Sequence, residues 1–222
     1  MCGRYTITIP PEEWSQLITI DEWSTEWEIS YNVAPGQKVL SAIYYNSKVR
    51  AGPLHWGLIP KWSPKGAAPK PMINARGETL STKVSFKSLV DKRRCVFMAD
   101  SFFEWKRKGK ERIPYRFQLE NGEPFAFAGL WDAREEHGQK HSMGTIITTK
   151  ANDVVQPIHD RMPVILDTKD KILNWLNVNI PFDQVSSLLT PLEDEKMEFY
   201  RVSNIVNSSQ NNNEECIKQM FT

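Results

Sequence analysis

Apolar and polar residues alternate over short stretches along most of this chain, and a period of two predicts β-strands. The first alternation follows Cys2, where Tyr5, Ile7 and Ile9 are separated by two threonines. Further strands are predicted over residues 39–45, 94–98, 101–105, 115–119, 125–131, 144–149 and 199–202. Asn46-Ser47 and the basic run 106–110 have the composition of hairpin tips.

Helical patterns are short and few. They are predicted after Pro10-Pro11, around residues 86–90, from Thr168 to a point before Pro181, and over 183–189. No repeat or linker divides the chain. The pattern therefore predicts one α+β domain, residues 1–222, built on antiparallel sheet, with about 205–222 as loop or tail.

Composition narrows the class of protein. Pro10, Pro11 and two glutamates interrupt the early apolar stretch, so we expect neither a signal peptide nor a membrane span. The three cysteines show neither a paired nor a zinc-ligand spacing, which indicates free thiols in a reducing compartment. We expect a cytoplasmic protein that is not secreted. The motifs GxGxxG, GxSxG, HExxH and the P-loop are absent, which argues against dinucleotide, nucleotide and ordinary zinc-hydrolase chemistry.

Charge is distributed unevenly, although the formal net charge is only +1. Between Lys38 and Arg116 there are 18 basic and five acidic residues, a balance of +13. Such a segment favours a face that binds a polyanion. The alternative is a mixed surface over which folding scatters these charges.

Trp62 stands in a loop-like stretch that continues through residues 63–71, rich in Pro and Lys. An exposed aromatic ring between cations is typical of single-stranded nucleic-acid binding, by base stacking and phosphate neutralisation. Burial in the core is the alternative for this tryptophan.

Cys2 has chemistry that no internal cysteine has, provided that Met1 is removed. An N-terminal cysteine carries an amine and a thiol on adjacent carbons, with ordinary pKa values of about 8 and 8.5. The amine condenses with an aldehyde to an imine, and the thiol then closes a five-membered thiazolidine ring. Alternatively, Cys2 is a small apolar residue that opens a buried strand.

Three other reactive groups lie far apart in the sequence: Asn74, Glu104 and His159. Glu104 stands between Phe103 and Trp105, so it either faces solvent or occupies a pocket that raises its pKa. Each of the three also has a plain structural explanation, such as capping a turn.

Several blocks of residues, in order, resemble the SRAP family of SOS-response-associated peptidases, which process abasic sites. They are residues 1–4 (MCGR), 31–35 (YNVAP), 56–62 around Trp-Gly-Leu, 74–78 (NARGE), 103–105 (FEW), 148–152 around Thr-Thr, and 159–163 (HDRMP). The resemblance covers nearly the whole chain. It implies curved, barrel-like antiparallel sheets flanked by short helices, with a basic cleft for single-stranded DNA.

The same resemblance implies a reaction and its residues. Mature Cys2 would form a thiazolidine crosslink with the aldehyde of a ring-opened abasic site, Glu104 would shuttle protons, His159 would act on the sugar oxygen, and Asn74 would orient the amine. The implied DNA contacts are Arg4, Asn32, Trp62, Arg76, Trp105, Thr148, Thr149 and Arg161. Lyase activity and self-removal of Met1 are associated possibilities. We expect a monomer with no metal, cofactor or membrane partner.

Two other classes of function remain open at this point. One is a cysteine peptidase or amidohydrolase with an N-terminal nucleophile, in which Cys2 attacks and His159 is the base. The other is a non-catalytic module for single-stranded DNA, in which Cys2 is structural.

Overall fold

Strands account for most of the regular structure, as the alternating pattern predicts. The computed structural model describes residues 2–24, 28–64, 70–136 and 138–221. The strands, in chain order, are β1 (Tyr5–Ile7), β2 (Glu22–Trp23), β3 (Ser30–Val33), β4 (Lys38–Tyr45), β5 (Lys48–Trp56), β6 (Asn74–Arg76), β7 (Arg94–Ala99), β8 (Ser101–Lys108), β9 (Glu111–Leu119), β10 (Phe125–Glu136), β11 (Gln139–Lys150), β12 (Arg161–Pro163), β13 (Ile165–Leu166) and β14 (Met197–Arg201). The helices are α1 (Pro11–Trp14), α2 (Lys169–Leu176) and α3 (Phe182–Val185).

Five strands close into a barrel. Antiparallel pairs run in the order β5, β4, β7, β10 and β11, and a short parallel pairing of β11 with β5 completes the circle. The Phe97 ring is fully buried and lies against two glycines, so that a Cβ atom at Gly129 or Gly144 would come within 2.5 or 2.7 Å of it. A side chain at either glycine would therefore displace the ring from the core.

A second, five-stranded sheet has the order β14, β9, β8, β1, β3 and is antiparallel throughout. It is joined to the barrel because β8 follows β7 after one residue, Asp100. The Asp100 carboxylate accepts hydrogen bonds from the backbone N–H groups of Thr8 and Ile9, and it lies 3.7 Å from the Arg116 guanidinium. This buried carboxylate thereby fixes the beginning of the chain against the sheet.

The strands β10 and β11 separate at one end of the barrel, and the segment containing β12 and β13 lies between them. The Val164 N–H donates to the Ile147 carbonyl at 2.9 Å, and the Val164 carbonyl accepts from the Ala128 N–H at 3.0 Å. The strand β6 pairs in parallel with the same part of β11, where Thr148 is opposite Arg76. The end of β11 thus gathers strands that are distant in sequence.

The helices are short, and both ends of α2 are stabilised by side-chain hydrogen bonds. The Thr168 hydroxyl caps α2 by accepting from the Lys171 N–H, as predicted. Buried Arg94 donates to the carbonyls of Trp175, Asn177 and Ile180 at the other end of α2. The helix expected around residues 86–90 is absent, and that stretch forms consecutive turns, with a hydrogen bond from the Leu89 N–H to the Phe86 carbonyl.

The prediction of a barrel-like, antiparallel α+β fold is confirmed. The segment 204–217, expected to be loop or tail, contains two 3-10 turns, and its Val206 and Cys216 are fully buried against Phe103. Within the described ranges, no helix is long and apolar enough to span a membrane. The basic cleft stays a prediction.

Candidate active site and nucleic-acid interface

Asn74 connects the beginning of the chain to the edge of the barrel. Its side-chain Nδ2 donates to the backbone carbonyl of Cys2 at 2.8 Å. Asn74 is held by the pairing of β6 with β11, and the Trp56 indole N–H donates to the neighbouring Ile73 carbonyl at 2.9 Å. The Asn74 Oδ1 atom is buried and has no hydrogen-bond partner among the described residues. The Nδ2 atom of this amide therefore holds Cys2, and the Oδ1 atom is available to accept a hydrogen bond from a further group.

Cys2 is fully buried. Burial raises the pKa of its thiol far above the ordinary range, and the negative charge of Glu104 raises it further. Its Sγ atom makes a weak contact of 3.9 Å with the Arg4 carbonyl. In this environment the sulfur is a protonated thiol and not a thiolate.

Glu104 is buried, with 3% of its surface exposed, although it stands on a strand that ends in a basic hairpin. Burial raises the pKa of its carboxyl group, and the neighbouring His159 opposes that shift. The structure thus selects the pocket and not the solvent-facing alternative for this residue. A carboxyl group with a raised pKa is suited to exchange protons near neutral pH.

His159 follows a series of turns and directly precedes β12. The backbone N–H of Arg161 donates to its Nδ1 atom at 3.0 Å, and an Asp160 carboxylate oxygen lies 3.1 Å from the same nitrogen. A neutral ring that accepts at Nδ1 carries its proton on Nε2. When the ring is protonated, its Nδ1 can donate to Asp160 instead.

The structure thus brings together all four of the reactive groups singled out in the sequence. Asn74 bonds to Cys2, while electrostatic coupling links Cys2 to Glu104 and Glu104 to His159. They come from the start of the chain, from β6, from β8 and from the turn before β12. In such a group the thiol can add to a carbonyl carbon as a nucleophile. The carboxyl group of raised pKa and the imidazole can transfer the protons that this addition requires.

Arg161 is anchored next to this group. Its guanidinium forms two hydrogen bonds with the Glu78 carboxylate, at 2.6 and 2.9 Å, and donates to the Thr148 carbonyl at 2.7 Å. The hydrogen bonds from Arg161 lower the pKa of Glu78, and the positive charge of Arg76 lowers it further. Arg76 is exposed, whereas Thr148 and Thr149 are buried. Among the described residues the Arg76 guanidinium has no hydrogen-bond or salt-bridge partner, whereas Arg161 would have to give up contacts to bind a phosphate.

Arg4, Asn32 and Trp105 are engaged with the C-terminal segment. Arg4 donates to the Asn32 Oδ1 atom and to the Val206 carbonyl, both at 2.7 Å, and to the Asn207 carbonyl at 3.1 Å. The Trp105 indole N–H donates to the Asn207 Oδ1 atom at 2.6 Å. These contacts give the three residues a structural role, and their contact with DNA stays a prediction.

Trp62 is 66% exposed, so the surface alternative is the correct one and core packing is wrong. It lies beside a groove lined by Pro60, Lys92 and Arg93, and the adjacent Lys61 forms a salt bridge of 2.9 Å with Asp132. An exposed tryptophan beside cations is available for stacking on a base.

Comparison with known proteins shows the family to which this chain belongs. Residues 1–209 match the model of the family described as SOS response associated peptidase (SRAP). The chain belongs to the SRAP family. The resemblance predicted from the sequence blocks is therefore confirmed.

Two relatives align with this SRAP chain over nearly all of its residues and of their own. It is 45% identical to the abasic site processing protein YoqW of Bacillus subtilis, over 98% of this chain and 99% of that protein. It is 29% identical to the abasic site processing protein YedK of Escherichia coli, over 98% and 99%. A crystal structure of a Bacteroides thetaiotaomicron protein superposes with a TM-score of 0.77 at 29% identity, over 86% of this chain and 85% of that one.

Some residues that build this SRAP site were not predicted to belong to it, although Trp56 and Glu78 lie in the blocks that carry the resemblance. Asp100 holds β1, Trp56 holds the segment before Asn74, and Glu78 holds Arg161. A signal for Asp100 was available, since it is a single acid between two buried apolar runs. The partner of Glu78 had no signal in the sequence, because it lies 83 residues away.

In the part of the chain that the structure describes, no group of three or more His, Cys, Asp or Glu side chains is placed to hold a metal ion.

Proposed function

We propose that this SRAP protein binds single-stranded DNA at an abasic site and forms a covalent thiazolidine crosslink through Cys2. Two lines support the proposal. Relatives that align with nearly all of this chain are named abasic site processing proteins. The hydrogen bond from Asn74 to Cys2, beside Glu104 and His159, carries the argument most directly, because it fixes the N-terminal nucleophile next to two proton-transfer groups.

The first step requires a free α-amine on Cys2, and therefore removal of Met1, which lies outside the described residues. The amine adds to the aldehyde carbon of the ring-opened sugar, and loss of water from the carbinolamine gives an imine. Glu104, whose pKa is raised by burial, donates a proton to the departing hydroxyl group. The unpartnered Asn74 Oδ1 atom would accept from the amine and orient it.

The second step closes the ring. The Cys2 sulfur adds to the imine carbon, so that a C–S bond forms and the C=N double bond becomes a single bond. The thiol proton is transferred to the nitrogen, with the Glu104 carboxylate as the intermediate base. Because the thiol's pKa is raised, sulfur has to lose its proton as it attacks, and a carboxylate beside it makes this possible.

His159 acts on the sugar. Ring opening of the cyclic hemiacetal needs a proton on the ring oxygen, and a protonated His159 ring, with Nδ1 donating to Asp160, can deliver its Nε2 proton there and become neutral imidazole. The imine is also the intermediate from which β-elimination would cut the strand, so lyase activity would compete with ring closure.

The environment of Cys2 disfavours the peptidase alternative. A cysteine peptidase depends on a thiolate, which a nearby imidazolium or helix N-terminus stabilises. Here burial and Glu104 both favour the protonated thiol. The amine is therefore the better first nucleophile.

A denaturing gel separates the three functions. The trimmed protein is incubated with a single-stranded oligonucleotide that contains one abasic site, and the control carries the same site after borohydride reduction of its aldehyde. The proposal predicts a heat-stable covalent shift with the aldehyde and none with the reduced site. Cleavage of peptides without a shift would indicate the peptidase, and reversible binding alone would indicate the binding module.

A further inference from the structure

The hairpin that joins β8 to β9 extends from the candidate active site and is strongly basic. Beyond Trp105 it carries one acid, Glu111, and five exposed cations, which are Lys106, Arg107, Lys108, Lys110 and Arg112. Within the described part of the chain, none of the five forms a salt bridge. Exposed cations elsewhere do find acids, such as Lys48 with Glu22. The hairpin therefore concentrates positive charge that the protein itself does not neutralise.

The strand register divides these cations between two faces. Residues at alternate positions of a strand share a face, so Lys106 and Lys108 lie on the face of Glu104, and Glu111 is opposite Lys108 on that face without forming a salt bridge among the described residues. Arg107 is paired with Arg112 and shares the opposite face with Trp105. That second face is covered at its base by the C-terminal segment, through the hydrogen bond from Trp105 to Asn207.

We propose that Lys106 and Lys108 form a phosphate-binding edge for the single strand that flanks an abasic site bound beside Glu104. This inference rests on the proposed function. A strand rises about 3.3 Å per residue, which places Lys108 about 13 Å from Glu104 along the hairpin. At 3.4 Å per nucleotide of a stacked strand, this length corresponds to about four nucleotides.

The chemistry fits phosphates and not bases. Lysine is a compact point charge without the planar fork that reads a base edge or clamps a carboxylate. Because neither lysine forms a salt bridge in the described part of the chain, both can exchange counterions for phosphates without breaking one there. The edge should therefore act equally on strands of any sequence.

The first test compares two matched double variants, Lys106→Ala/Lys108→Ala and Arg107→Ala/Arg112→Ala. Each removes two positive charges from the same hairpin, the lysines from the Glu104 face and the arginines from the opposite face. Binding to an undamaged single strand is measured by anisotropy across a salt series. The Lys pair should lower the slope of log K against log [salt] by about 1.4, since each lost phosphate contact accounts for about 0.7. The Arg pair should lower it by less than half as much, and equal losses would overturn the proposal in favour of a diffuse charge effect.

The second test varies the DNA. Abasic oligonucleotides are prepared with one or six nucleotides on the 5′ side, and likewise on the 3′ side. With wild-type protein, lengthening one of the two flanks should speed crosslinking at subsaturating DNA. The Lys106→Ala/Lys108→Ala variant should lose that gain and match the wild type on the short flank. A variant that keeps the full gain would overturn the phosphate-binding edge.

The two proposals fail in different ways. If no oligonucleotide gives a covalent shift with wild-type protein, the crosslinking function is wrong. The salt series uses undamaged DNA, so it still decides whether the hairpin binds phosphates on the Glu104 face.

Discussion

The side-chain amide of Asn74 donates a hydrogen bond of 2.8 Å to the backbone carbonyl of Cys2, across 72 residues of sequence. Asn74 is itself fixed because β6 pairs with β11 at the end of the barrel. The position of the N-terminal nucleophile therefore depends on the barrel, although Cys2 precedes the first strand. This link explains how a residue at a chain end, which would ordinarily fray, can be held for chemistry.

Asn74→Ala removes the donor to Cys2 and should slow crosslink formation about fivefold, since one hydrogen bond contributes about 1 kcal/mol. Affinity for an undamaged single strand should not change. The rate is measured under single-turnover conditions with saturating abasic DNA. Asn74→Asp is the matched variant, because it keeps the shape but replaces the donor with an oxygen, and it should be at least as slow. Full activity in both variants would contradict the positioning role of Asn74.

Glu104→Gln and His159→Ala should each slow crosslinking by about 100-fold or more, because each removes a proton-transfer group. Glu104→Gln preserves shape, so its equilibrium binding to undamaged DNA should equal that of the wild type. Rates from a quench series and affinities from anisotropy separate the two effects. Loss of binding in step with rate would show that these side chains hold DNA and do not move protons.

Glu104→Gln should also change how stability depends on pH. Burial raises the pKa of Glu104 in the folded state, so the folded protein binds this proton more tightly than the unfolded chain does. Stability from this group is then complete below the unfolded pKa and is lost as pH rises through the folded pKa. We expect Glu104→Gln to be more stable than the wild type at pH 8 and equal to it near pH 4.

Denaturant midpoints across that pH range measure this difference. The exposed Glu111→Gln change on the same hairpin is the control, and its difference from the wild type should stay small throughout. A wild type that becomes more stable than Glu104→Gln as pH rises would contradict the direction of the shift.

Arg76 and Arg161 should differ in how they affect DNA binding and stability. Arg76→Ala removes an exposed cation and should lower the salt slope of binding by about 0.7 without loss of stability. Arg161→Ala breaks contacts with Glu78 and Thr148 and should destabilise the fold by about 1 kcal/mol as well. Glu78→Gln weakens the hold on Arg161 and should tighten binding to single strands. An unchanged slope in both Ala variants would place the DNA elsewhere.

Features encoded by neighbouring residues could be predicted from the sequence. Asn46 and Ser47 both adopt positive φ at the tip between β4 and β5, as a two-residue hairpin turn requires, and Asn is a residue type that favours this conformation. The α2 cap at Thr168 depends only on the residues that follow it. The closed barrel could not be predicted in this way, because it depends on the pairing of Met143 with His55, which no local pattern specifies.

The candidate site shows the same division. Composition and spacing gave no reason to place Cys2, Asn74, Glu104 and His159 together, and only the resemblance to a family did so. The packing of the C-terminal segment 204–217 against the rest of the protein could not be predicted from the sequence either. Its polar composition is typical of a tail. In the structure, however, Arg4 donates a hydrogen bond to the Val206 carbonyl of this segment, and the Val206 side chain is fully buried.

The most direct test of the central claim is the intact mass of the protein after incubation with abasic single-stranded DNA, measured for two forms. One form begins at Cys2, and the other keeps Met1 behind an uncleavable N-terminal tag, so that its thiol is present but its α-amine is blocked. The account predicts that the first form gains the mass of the oligonucleotide minus one water and that the second gains nothing. The same heat-stable adduct on the tagged protein would contradict the N-terminal mechanism.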